Sequence, residues 1–157
     1  MEFPKRVYTV EEVKKARDVI ESGHKHRLTV KGKQEFRQKV KAALKLVKVA
    51  KYYDFVRTYV RGIQEIDGIS QLREAEAAIW ANNYVVADSV DAAGFIVQKT
   101  QQMKDYIEGR LYYEMGEKRA IDKRIEFLKI LEKRSRDQTV RERCQEILKK
   151  WTEVPFP

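Results

Sequence analysis

The chain has 157 residues, 43% hydrophobic and 36% charged, with a formal net charge of +9, which suits one domain with a real core that buries about 70% of its unfolded surface. Its three prolines (Pro4, Pro155 and Pro157) lie at the ends and leave little room for a loop-rich β architecture. One cysteine excludes an internal disulfide framework, and the longest uncharged stretch, Ala77 to Ala87, falls far short of the ~20 apolar residues of a membrane span.

Taken in chain order, Met1 to Arg6 show no apolar leader segment, so no secretion signal is expected and the cytoplasm is the expected location. Residues 1–8 read as an extended arm. Thr9 followed by Glu12 is a capping box that opens a helix from Val10 to Ser22, and Gly23 stops it. Residues 24–32 form a connector with one short strand at Leu28–Val30. A helical period then holds from Lys33 to Ile66, with a kink or break expected near Ala50–Tyr53 and a turn at Asp67-Gly68.

Ser70 caps an alanine-rich helix over 71–82, and Tyr84–Val86 is an extended link or a further short strand. Asp88, with Asp91 three residues on, opens a long helix to about Tyr113. Gly116 breaks it, a helix follows over 117–134, and Asp137 caps the last one, 138–151, leaving 152–157 as an extended tail. The expected fold is therefore all-α: a single-domain bundle or short stack of about six to seven antiparallel helices, with at most one or two very short strands.

The charge is uneven. Residues 1–50 carry 14 basic and 6 acidic side chains, while residues 51–100 carry 5 and 7. On a helix, Arg37, Lys41, Lys45 and Lys48 share one arc, with Lys33 at its edge and Arg27 before it. Such a stripe suits a phosphate backbone, an anionic membrane surface or an acidic protein, or is simply a solvated face.

In the 89–113 helix, Val90, Ala93, Val97, Thr100, Ile107 and Leu111 make one stripe, and Phe95, Tyr106 and Tyr113 make a second on the opposite side. A helix apolar on two sides is the centre of a bundle or an interface. Ala92-Ala93-Gly94 would admit a neighbouring backbone. Glu76 and Lys104 fall inside apolar arcs, so Glu76 is expected to pair with a base, Lys104 first, then Arg57 or Arg73.

His24 and His26 read as a solvent-exposed loop pair, since two ligands do not make a metal site. Cys144 sits in the apolar stripe of the last helix and is expected to be a buried, inert thiol. The glycines fit no phosphate or dinucleotide loop. No metal, cofactor or catalytic set is implied.

The leading expectation is a non-enzymatic binding or assembly protein that contacts another protein or a second copy through helical surfaces at Phe95, Tyr106 and Tyr113. The alternative is a nucleic-acid-binding module working through Arg27, Lys33, Arg37, Lys41, Lys45 and Lys48. A small helical enzyme with a pocket around Glu76 comes third.

Overall fold

A computed structural model describes residues 2–110 and 115–152. Among these residues six helices accompany a four-stranded sheet, so the chain is a mixed α/β protein and the all-α expectation is wrong. The elements run α1 (Val10–Glu21), β1 (Thr29–Lys31), α2 (Gln34–Val49), α3 (Tyr53–Tyr59), β2 (Gly62–Glu65), β3 (Gln71–Arg73), β4 (Ala78–Ala81), α4 (Ser89–Ile107), α5 (Gly116–Arg134) and α6 (Gln138–Thr152).

The sheet order is β1-β2-β4-β3. β1, β2 and β4 are parallel, with Val30 opposite Ile63 and Ile63 opposite Ile79. β3 is an antiparallel edge strand, with Leu72 opposite Ile79.

The sheet escaped the sequence reading for two local reasons. The helical period over 33–66 is genuine as far as Val49, but Lys51 takes a left-handed φ of 64° and α3 lasts only 7 residues before β2 begins. The break falls where a kink is expected, yet the final turns are strand. Over 71–82, alanine and glutamate favour helix, whereas the chain forms β3, a 3-10 turn at Glu74–Glu76 and β4. Ala77 at φ 52° ends that turn. The gain comes from burying Ile79 and Ala81, which overrides local propensity.

Of the short strands, the first lies one residue beyond its expected place, and Tyr84–Val86 forms a turn. The helix starts at Val10, Ser89 and Gln138 are closer to expectation, whereas α4 ends at Ile107, short of the expected Tyr113. Thr9 and Glu12 form the reciprocal capping box. Asp88 accepts from Asp91 N at 2.8 Å, and Asp137 accepts from Thr139 N at 2.9 Å.

α4 is the central element. It packs against α1, α2, α3, α5, α6 and β3, and buries Val90, Ala92, Ala93, Gly94, Phe95, Ile96, Val97, Thr100, Met103 and Ile107. Phe95 of the second stripe thus belongs to the core as the first stripe does, Tyr106 is half-buried against it, and Leu111 and Tyr113 lie outside the described residues. A Cβ on Gly94 would lie 2.9 Å from Arg124 Nε. The small residue therefore makes room for a guanidinium from α5 rather than for a neighbouring backbone. No helix among the described residues is long and apolar enough to cross a membrane.

Candidate functional site

The sheet has an inner face, with Val30, Ile63, Ile79 and Leu72 turned to the core, and an outer face with Thr29, Lys31, Gly62, Gln64, Gln71, Arg73, Ala78 and Trp80. The free side of β3 runs beside α4. Between them lies a cleft of about 460 Å³ whose lining is mainly apolar. Ser70, Gln71 and Leu72 form the strand wall, and Lys99, Gln102 and Tyr106 line the helix wall at i, i+3 and i+7.

Each helix-wall group is held. Lys99 Nζ reaches Gln102 Oε1 at 3.3 Å and lies 5.6 Å from the centre of the Phe95 ring. Burial, with Arg124 nearby, lowers its pKa; Glu74 acts the other way. Tyr106 donates to the carbonyl of Val7 at 2.7 Å, and burial raises its pKa. Val7 N in turn donates to Ala75 O at 2.8 Å, so the N-terminal arm ties the 3-10 turn to α4.

Asp105 at the cleft floor is 4% exposed and bonds to Arg119 Nε at 2.9 Å and to Gln101 Nε2 at 3.0 Å. At the start of β3, Ser70 Oγ accepts from Asn82 N at 2.9 Å and Asn82 Nδ2 donates to Gly68 O at 3.0 Å. The two loops joined in this way carry Ile69 and Tyr84, which are 84% and 91% exposed. No imidazole or carboxylate bonds to Ser70 among the described residues.

The expected site residues separate. Phe95 is buried, Tyr106 lines the cleft, and Tyr113 lies outside the described residues. Glu76 pairs with Arg73 at 3.7 Å, while Lys104 pairs with Glu108 one turn on, so the two do not meet. Neither is deeply buried, because Glu76 stands in a 3-10 turn and not on a helix. Arg27, Lys33, Arg37, Lys41, Lys45 and Lys48 are all exposed. None forms an ion pair among the described residues, and Lys48 Nζ lies 4.5 Å from the Tyr53 ring centre.

The buried cation among the described residues is Arg124, at 7% exposure. It stands one turn from Ala120 and one turn from Leu128, inside the apolar stripe of its helix, so the helical period held the signal. Cys144 is buried, which pushes its thiol up to about 11.

The histidine pair is not exposed. His26 is buried against Phe3, with ring centres 4.4 Å apart, and its Nε2 has no partner among the described residues. His24 Nε2 lies 3.3 Å from His26 Nδ1. Desolvation first, then His24 and Arg61, lower the His26 pKa to about 4. The folded state thus binds fewer protons than the unfolded chain, and the stability this confers is full above the ordinary value of 6.5 and is lost as the pH falls towards 4. Urea unfolding at pH 7 and pH 4.5 checks this. The parent is expected to lose more stability than His26→Phe, and equal losses in both would discount the site.

No group of three histidine, cysteine, aspartate or glutamate side chains converges as a metal site among the described residues. Comparison with known protein families, curated proteins and solved structures finds no match for this chain.

Proposed function

We propose that this is a non-enzymatic binding protein that captures an extended segment of another protein along β3, in the cleft against α4. The observation that carries this is the unpaired outer edge of β3 beside an apolar-lined cleft of about 460 Å³. A strand laid on that edge gains main-chain hydrogen bonds, and every second side chain enters the cleft. Leu72 and Tyr106 supply apolar contact there, while Lys99 and Gln102 supply polar anchors. Ile69 and Tyr84 extend the apolar surface at one end. The partner contact moves from the helical surfaces expected from sequence to a strand edge, because Phe95 is spent in the core. The single buried thiol suits a reducing cytosol as the setting.

Selection of a random dodecapeptide library against the whole chain tests the reading. Selected peptides are expected to slow amide hydrogen exchange at residues 70–73 and to lose at least tenfold in affinity for Gln102→Trp, which fills the cleft. Peptides that bind Gln102→Trp as well as the parent, or a library that yields no binder, would sink it.

A further inference from the structure

The outer face of the sheet is a second surface, distinct from the β3–α4 cleft. No helix covers it. Gly62 and Ala78, side by side in the register of β2 and β4, leave its middle shallow. They floor a depression of about 270 Å³ that Trp80 walls on one side. Lys31 and Gln64 belong both to this depression and to a second one of about 580 Å³ beyond the carboxyl ends of β1 and β2. The two make one groove along the strands. Parallel sheets characteristically take ligands at that end.

The rim is cationic. Lys5 and Arg61 stand at the lower end, and Arg61 is fixed by bonds to Glu76 O at 3.2 Å and Lys5 O at 3.0 Å. Lys31 lies midway and Lys33 at the upper end. Arg73 lies over the Trp80 ring at 4.2 Å. Three carboxylates share the rim. Glu76 is paired with Arg73, and Glu65 accepts from Lys33 N at 2.8 Å and from Asn83 Nδ2; Asp67 is the third. Lys33 is also where the exposed stripe of α2 begins, continuing through Arg37, Lys41 and Lys45.

A flat groove with an indole on its wall and cations along its length matches a chain of flat rings joined by phosphates. Base–aromatic stacking needs the indole, and the phosphates need the rim. We infer that the outer sheet face binds single-stranded nucleic acid, with a base stacked at Trp80 and phosphates running past Lys31 and Lys33 onto the α2 stripe.

The test is fluorescence anisotropy of labelled mixed-sequence single-stranded RNA and DNA dodecamers, and of the DNA duplex, at about 50 mM and about 200 mM salt. The expected result is single-strand binding that falls steeply with salt. Trp80→Ala is expected to weaken it about tenfold and Trp80→Phe to restore most of it. Lys31→Glu, an exposed position that does not threaten the fold, is expected to weaken binding and flatten the salt dependence. Arg37/Lys41/Lys45→Glu is expected to flatten the salt dependence further while Trp80 still matters. The inference is overturned by no binding at the lower salt, by equal binding of duplex, or by affinity unchanged in both Trp80→Ala and Lys31→Glu. A preference for RNA or DNA would name which strand it serves.

Discussion

Phe127→Ala is expected to lower unfolding free energy by about 3–5 kcal/mol, a large share of the roughly 5–15 kcal/mol that holds an ordinary domain together. Phe127 is fully buried and meets Tyr52 edge-on, with ring centres 5.3 Å apart. Tyr52 stands at the corner where α2 gives way to α3, just after the left-handed Lys51. The aromatic pair therefore clamps that corner onto α5. The neighbouring bond from Tyr52 to Glu126, at 2.6 Å, is a smaller contribution. Tyr52→Phe removes only that hydroxyl and is expected to cost about 1 kcal/mol. Urea unfolding measures both, with the midpoint falling and the slope unchanged. A loss below about 1 kcal/mol for Phe127→Ala would mean that the corner collapses around the gap.

Arg124→Ala is expected to cost about 2–3 kcal/mol, less than the full penalty for breaking a buried pair, because Asp91 can rehydrate. Arg124 donates to Gln98 Oε1 at 2.8 Å and to Asp91 Oδ1 at 2.7 Å, and its guanidinium lies 4.7 Å from the Trp151 ring centre. It thus ties α5 to α4 and α6 at one point. Its partner Asp91 keeps 43% of its side chain exposed.

Arg124→Met keeps the bulk without the charge, and its cost is expected to be about 1 kcal/mol or less. Gly94→Ala sets a methyl 2.9 Å from Arg124 Nε and so forces the guanidinium to move. Its cost is expected to shrink in the Arg124→Met background, giving a coupling energy of about 1 kcal/mol in the double-mutant cycle. Strict additivity would show that the arginine swings aside freely.

The sequence carried the helix starts at Thr9 and Asp88 because capping is local chemistry: Thr9 with Glu12, and Asp88 with Asp91, announce themselves within four residues, whereas Ser70 opens a strand. It also marked Val90, Ala93, Val97, Thr100 and Ile107 of α4, which are buried, though a stripe does not say what covers it. The sheet was hidden because its strands are 3 or 4 residues long, too short to show a period of two against strong helical neighbours. Leu72 and Ile79, both inside the helix expected over 71–82, are in fact cross-strand partners. The cleft was invisible for the same reason, since one wall is a strand that the sequence disguises. The cationic stripe was legible because charge needs no fold to be counted.

The shortness of β3 also governs what its open edge can do. Three residues offer an incoming strand too few rungs for the backbone alone to hold it. An identical chain arriving edge to edge would gain little, which disfavours polymerising through this edge although no strand among the described residues pairs with it. On the proposed reading, a partner would have to bring side chains that reach Lys99 and Tyr106 to stay bound. Discrimination among such partners would then be set by residue identity, with the ladder contributing only direction and register.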